Sequence, residues 1–287
     1  MSYRSIFRAD LFRNQTHIVT GGGSGIGRCT AHELSSLGAH VVLIGRNRAK
    51  LENVASELSD SGGTSSVFPL DIREEEGVRQ TVASIVEERG QIHGLVNNAG
   101  GQFPSPLNSI SKKGFDAVVG TNLTGGFLMA REVFNQSMQA HGGAVVNIVA
   151  DMHNGMVGMG HSGAARAGMV NLTMTAAVEW APFGVRVNAV APGFIASSGL
   201  DSYDASMKPI LKSMADAVPQ KRMGTEAEIS AGILYLLSEA AAFVTGECLR
   251  IDGGAPLANM VWKTPPHDRA TPFDGFHLSR LPKVLED

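Results

Sequence analysis

Seven short runs of β-branched and aliphatic residues alternate along this chain with stretches long enough for helices, and that rhythm limits the fold more than any other feature. The runs cover residues 17–20, 40–44, 66–69, 92–96, 144–149, 185–190 and 248–251; the helical stretches cover 25–37, 48–58, 74–88, 115–139, 164–180 and 226–238. Strands that are apolar nearly throughout, each followed by a helix, belong in a parallel sheet covered on both faces. Right-handed crossovers then give an α/β, doubly wound, Rossmann-like sheet whose ligand crevice opens at the carboxyl ends of the strands. The chain has 287 residues, 43% of them hydrophobic, enough for one large core, and one domain is expected over 1–254. Residues 255–287 fall outside the rhythm and hold five of the twelve prolines with Trp262, Phe273 and Phe276. A solvated tail has no use for such aromatics, so an arm packed on the core or on a neighbouring subunit is expected. Residues 194–223, Ser- and Met-rich after a strand end, are expected to form a lid.

Composition excludes several function classes. A net charge of −3 gives no reason to expect nucleic acid or an anionic membrane as partner. No window approaches 18 apolar residues, so no membrane span is expected. Cys29 and Cys248 stand far apart, in neither a metal nor a redox spacing, which fits a reduced, cytoplasmic protein. Asp71, Asp116 and the histidines show no metal spacing either, and no metal is expected.

The first strand runs into Thr20-Gly21-Gly22-Gly23-Ser24-Gly25-Ile26-Gly27, and a helix follows at once. Glycines there let the backbone approach a pyrophosphate, whose charge meets the free N–H groups of the helix N-terminus. Between a strand and a helix of the first βαβ unit this is a strong signal for a dinucleotide. The second strand ends in Arg46 and Arg48, where an acid would bind the ribose diol of NAD. A guanidinium fork suits a 2′-phosphate instead, so NADP(H) is the expected cofactor. Asp71, with Ile72 beside it after the third strand, is expected to reach the adenine edge.

These residues, together with Asn97-Asn98-Ala99-Gly100, Asn122 in Thr121-Asn122-Leu123, Arg186-Val187-Asn188, Pro192-Gly193 and Asp252-Gly253-Gly254, resemble the short-chain dehydrogenase/reductase family. The resemblance spans about residues 14–254. It implies the strand order 3-2-1-4-5-6-7, a nicotinamide cofactor also touched by Asn98, Ala99, Gly100, Pro192, Gly193 and Ile195, and a homotetramer or homodimer. The family's catalytic Tyr-x-x-x-Lys would fall on Ser162-Gly163-Ala164-Ala165-Arg166, and its Ser near Val149 and Ala150, neither of which carries a hydroxyl. Tyr3, Tyr203 and Tyr235 are the only tyrosines, and none lies at a matching position.

That departure has a chemical meaning. Ketone reduction leaves an alkoxide that needs a matched proton donor, and Ser162 is too weak an acid. Reduction of a C=C bond conjugated to a thioester collects charge on the thioester oxygen, which fixed hydrogen-bond donors can hold. Residues 97–106 and 161–168 resemble the NADPH-dependent 2-enoyl- and 2,4-dienoyl-CoA reductases, a divergent branch of the family. An acyl thioester is therefore the expected substrate. Asn122 is expected to hydrogen-bond it and Arg166 to hold the nicotinamide ribose. Asp151 is expected to serve as acid or to position a water, with His153 and His161 as other proton sources. Gln102 and Phe103 are expected to line an acyl channel, with His161 and Ser162 facing the substrate, although Ser162 also suits a helix-capping position. Two other readings stay open: a carbonyl reductase or hydroxyl dehydrogenase with a rewired proton relay, and an NADP(H)-binding protein without turnover.

Overall fold

A computed structural model describes residues 2–202, 207–258 and 264–286; Tyr203 and Trp262 lie outside them. The strands are β1 (Thr16–Thr20), β2 (His40–Gly45), β3 (Thr64–Pro69), β4 (Gly94–Asn97), β5 (Gly143–Ile148), β6 (Val185–Pro192) and β7 (Cys248–Ile251). All pair in parallel, in the order β3-β2-β1-β4-β5-β6-β7, as expected. The helices are α1 (Gly25–Ser36), α2 (Arg48–Asp60), α3 (Glu75–Arg89), α4 (Lys112–Val119), α5 (Gly126–Val133), α6 (Gln139–His141), α7 (Gly160–Trp180), α8 (Lys208–Ala217) and α9 (Glu226–Leu237).

Adjacent residues of one strand serve opposite faces of the sheet. Val19, Val41, Leu43, Val96 and Val146 pack with Leu34, Leu51, Val54, Leu58, Ile229 and Ile233 of α1, α2 and α9. Their neighbours Ile18, Val42, Ile44, Leu95 and Val145 pack with Val78, Val82, Ile85, Met129 and Val133 of α3 and α5. Burying each such side chain is worth about 1.5–3 kcal/mol, which is why both faces read as apolar.

Several polar motif residues are structural. The Arg186 guanidinium donates to the carbonyls of Leu236 (2.7 Å) and Ser238 (3.1 Å), closing the C-terminus of α9, whose last carbonyls lack helical partners. Asn97 Nδ2 donates to Asn147 Oδ1 (2.9 Å) and Gly126 O (3.0 Å), and Asn147 Nδ2 to Thr173 Oγ1 (2.9 Å). This relay ties α5 and α7 to the carboxyl ends of β4 and β5.

Two expectations change. The stretch 115–139 is one helical run from α4 to α6, widened to π geometry at Gly120–Gly125 and Phe134–Met138. The helix expected at 164–180 begins a turn earlier, at Gly160. Ser162 therefore sits inside the helix and does not cap it; its hydroxyl is turned to another partner, described below.

The arm lies across the subunit's own core. Phe276 is buried against Tyr3, His32 and Arg28. Phe273 N–H donates to Glu228, and Thr225 Oγ1 to Phe273 O (2.7 Å). Further along, Val284 N–H donates to Asp201 (3.2 Å) and Lys208 Nζ to Glu286 O (2.6 Å), so the arm also bonds to the 194–223 segment.

Candidate active site

The turn after β1 is stitched to the end of β4. Thr20 Oγ1 accepts from Asn98 N and Ala99 N, both at 3.0 Å, while Asn98 Nδ2 donates to Thr20 O at 3.0 Å. Gly21 adopts φ +66° and Gly25 φ +56°, left-handed values that glycine takes without a Cβ clash. A Cβ on Gly27 would meet Asn98 Nδ2 at 2.5 Å, with Gly21 O closer still. Ser24 precedes α1 without a side-chain capping bond, which leaves the first N–H groups of the helix to an anion.

These elements open onto a cleft of about 720 Å³ that collects Gly21, Gly23, Ser24, Arg46, Arg48, Asp71, Ile72, Ala99 and Gly100. Lys50 and Thr121 also line it, and the sequence reading did not single out Lys50. Its proximity comes from the first turn of α2 curling back over Gly23, a fold-level event. Asp71, on the cleft wall, is also paired. Arg73 occupies both of its oxygens, through Nε at 2.9 Å and Nη2 at 2.5 Å. That guanidinium, and more distantly Arg46, holds the carboxyl below the usual aspartate range. The pair fixes the loop after β3 and adds a second guanidinium near Arg46. Arg48 pairs in solvent with Glu52 (3.2 Å), a contact worth little.

At the inner end of the cleft three residues converge. Asn122, buried in the first π segment, accepts from Gly101 N and donates to Gly101 O, both at 2.9 Å. With both ends of its amide engaged, Asn122 fixes the Gly100–Gly101 turn. A Cβ on Gly100 would meet Arg166 Nη2 at 2.6 Å and Asn122 Oδ1 at 2.8 Å, so only glycine fits between them. Arg166 Nη1 donates to Ile148 O at the end of β5 (2.5 Å), while its Nε is buried without a hydrogen-bond partner among the described residues. Burial pushes the Arg166 guanidinium down to about 10, so it stays charged at neutral pH.

The residues expected to face the substrate also assemble. Ser162 Oγ donates to Gln102 Oε1 at 2.7 Å. His161 Nδ1 accepts from Ser162 N at 2.9 Å, and its ring meets Phe103 edge-on, centroids 4.4 Å apart. A histidine whose Nδ1 accepts carries its neutral-state proton on Nε2, and that Nε2 is buried without a partner among the described residues. Asp151, just past β5, donates its N–H to Pro192 O (3.2 Å). Burial, then the nearby Asp252, raises its carboxyl pKa, against His153 and Arg250.

The Pro192–Gly193 turn is held by Gly193 N donating to Ile251 O (3.0 Å). Ile195 lines a second cavity of about 390 Å³ with Phe194, Arg222, Arg250 and Asp252, under the start of the 194–223 segment. Among the described residues no three His, Cys, Asp or Glu side chains gather where they could hold a metal.

A seven-stranded 3-2-1-4-5-6-7 parallel sheet with a glycine-rich βα turn over a cleft defines a nucleotide-binding oxidoreductase of the Rossmann type. The family model described as Enoyl-(Acyl carrier protein) reductase matches residues 21–256, and the chain belongs to the short-chain dehydrogenase/reductase family. It is similar to a probable 2,4-dienoyl-CoA reductase of Bacillus subtilis, 36% identical over 244 residues, which are 83% of this chain and 94% of that one. Among solved structures it is similar to a citronellol catabolism dehydrogenase (AtuB) of Pseudomonas aeruginosa, 61% identical with a TM-score of 0.80, covering 88% of this chain and 99% of that one. It is also similar to a putative NAD(P)-dependent gluconate 5-dehydrogenase of Beutenbergia cavernae with bound NADP, 30% identical with a TM-score of 0.82, covering 88% and 100%.

Proposed function

We propose that the protein is an NADPH-dependent reductase of α,β-unsaturated acyl thioesters of the enoyl- or dienoyl-CoA kind. The observation that carries this reading is Arg166: a buried, charged guanidinium whose Nε has no partner among the described residues, four residues after Ser162 on α7, where the family's tyrosine would stand. A fixed positive charge favours negative charge gathering on a nearby thioester oxygen, and it does so without a proton donor beside a carbonyl. The dienoyl-CoA relative points the same way.

The residues fit a nicotinamide dinucleotide. The open N-terminus of α1 and the close approach of Gly21, Gly27 and Asn98 suit its diphosphate. Arg46, with Arg48 and Lys50 on the same cleft wall, suits a 2′-phosphate, and Arg166 the nicotinamide ribose. When bound, NADPH supplies a hydride for the unsaturated carbon. Asn122 positions the Gly100–Gly101 turn against Arg166, Gln102 and Phe103 border the acyl chain, and Ser162 holds Gln102. Asp151, whose protonated form is favoured by burial and by Asp252, supplies the proton to carbon. Exposed apolar side chains on α5 (Phe127) and α7 (Met174 and Val178) support a homodimer or homotetramer. We assign a cytoplasmic location; no helix among the described residues is long and apolar enough to cross a membrane.

The test follows NADPH oxidation at 340 nm with crotonyl-CoA, a longer 2-enoyl-CoA, a 2,4-dienoyl-CoA and acetoacetyl-CoA. Oxidation on an enoyl or dienoyl thioester is expected. The 61% identity to a citronellol catabolism dehydrogenase favours one other reading, an alcohol or carbonyl oxidoreductase working through Asp151 or a histidine. Turnover of acetoacetyl-CoA or of citronellol with NADP+, and none of the enoyl thioesters, would establish that reading instead.

Cofactor choice has its own prediction. Arg46→Asp is expected to weaken NADPH binding by about 10- to 100-fold, the worth of one or two hydrogen bonds to a charged group. NADH binding should hold or improve. Kd values from nicotinamide fluorescence check both arms, and an unchanged NADPH Kd would remove the 2′-phosphate from this wall of the cleft.

A further inference from the structure

Glu226, the first residue of α9, occupies a place that the reaction outlined above does not use. Three segments meet on it. From the phosphate turn, a Cβ built on Gly25 would lie 3.8 Å from Glu226 Oε1 and 3.9 Å from Ser198 Oγ. These two side chains therefore bound the space over the N-terminus of α1. From the 194–223 segment, the Ser198 backbone N–H donates to the Glu226 carboxylate. From the C-terminal arm, Asp274 faces it as a like charge.

The cations nearby are committed elsewhere. Arg28, on the first turn of α1, faces Glu226 but is held bidentate by Glu57 at 2.8 and 2.9 Å. Arg222 is paired with Glu228 at 2.6 Å. Among the described residues, the other titratable groups that face it add no positive charge. Cys29 is a buried thiol that feels Glu226, Glu33 and Asp274, and Glu33 already accepts from Tyr3, Ser5 and Ser230. Among the described residues the carboxylate has one backbone donor, and in such a place it is poorly compensated. Burial pushes the Glu226 carboxyl up to about 7, against Arg28 and the Ser198 N–H, with Asp274 raising it further.

We propose that Glu226 is a positioning residue that joins the cofactor's diphosphate site to the Ser198 segment, and that cofactor binding places a proton from solvent on its carboxyl group. The reason is electrostatic: a diphosphate received at Gly25 brings negative charge beside a carboxylate that the protein does not neutralise, and like charge favours the protonated form. This rests on the reading of the α1 N-terminus as the diphosphate site.

The sign follows from linkage. Binding raises the carboxyl pKa, so the bound state holds more protons wherever pH lies between the free and bound values. Well below pH 7 both states are protonated and affinity is flat. Above pH 7 binding consumes protons and the Kd rises with pH, about tenfold for each pKa unit of displacement. Phosphate monoesters are already dianionic at pH 8, so the 2′-phosphate contributes nothing there.

Calorimetry of NADPH binding to the full chain at pH 8.0, in two buffers of different ionisation enthalpy, reads the proton uptake. Roughly 0.2–0.6 proton per site is expected for a displacement of about one unit. In parallel, the NADPH Kd is measured from pH 6.5 to 9 for the wild type and for Glu226→Gln, which keeps an acceptor for the Ser198 N–H. The wild-type Kd is expected to rise several-fold above pH 7, and the variant's to change by less than twofold. Binding without proton uptake, or the same slope in Glu226→Gln, would overturn the proposal. If the variant does not fold, the wild-type calorimetry decides alone. Absence of any NADPH or NADH binding would instead overturn the cofactor reading on which the proposal stands.

Discussion

Arg166→Leu is expected to lower kcat/KM for thioester reduction by about 10²- to 10³-fold, the usual effect of removing one electrostatic stabiliser from a dry site. The same change is expected to leave stability unaltered or to raise it. Arg166 is buried, and among the described residues its Nε has no partner and its one hydrogen bond goes to Ile148 O. Replacing a poorly compensated buried charge by an apolar side chain is often neutral or stabilising by about 1–4 kcal/mol. For a chain of this size each kcal/mol is worth roughly 2–4 °C in Tm. Activity falling while Tm holds or rises is the signature of a residue kept for chemistry at a cost in stability. Arg166→Lys, which keeps the charge, should restore much of the activity. A Tm loss of several degrees in Arg166→Leu with little change in kcat/KM would mark Arg166 as a structural tie between α7 and β5.

Gly27→Ala is expected to abolish most cofactor binding and to cost about 1–3 kcal/mol, the range for forcing one methyl into a packed site. Its Cβ would press on Asn98 Nδ2 and on Gly21 O. Neither can retreat cheaply, because Asn98 is bonded to Thr20 through its backbone and its side chain, and Gly21 N is bonded to Ile44 O at 2.8 Å. The phosphate turn and α1 must then separate, which misplaces the donors meant for the diphosphate. Gly101→Ala is the control: a Cβ there meets nothing within 4 Å, and Tm and NADPH affinity should stay put. Thermal melts and fluorescence titrations check both substitutions.

The pattern of apolar residues decided much of this protein by itself. Alternating strands and helices require a parallel sheet buried on both faces, because β-strands apolar on both sides have no other place to go. Residues such as Ile18 and Val19, or Leu95 and Val96, show it directly by serving opposite cores. The phosphate turn was equally legible, since a strand–glycine–helix junction leaves few alternatives. Ser162, Arg166, Gln102 and Phe103 stood out because residues 97–106 and 161–168 resemble one branch of the family, and the fold brings Ser162 against Gln102.

Other features exist only in three dimensions. The π segment turns the amide of Asn122 onto Gly101, a contact made 21 residues away in sequence and set by the path of the folded chain. Asp71 lines the cleft, and the loop's path after β3 also brings Arg73 onto both its oxygens. Ser162 was a candidate cap until the helix began a turn earlier and its hydroxyl found Gln102, 60 residues away in sequence. Glu226 drew no notice in the sequence, where it is one acid at a helix start. Its position over Gly25, beside Ser198 and Asp274, joins segments from three parts of the chain. Periodicity and glycine placement act through local sterics and burial, so the sequence carries them openly. The charge state of a buried group depends on which distant atoms surround it, and only the folded structure brings those atoms together.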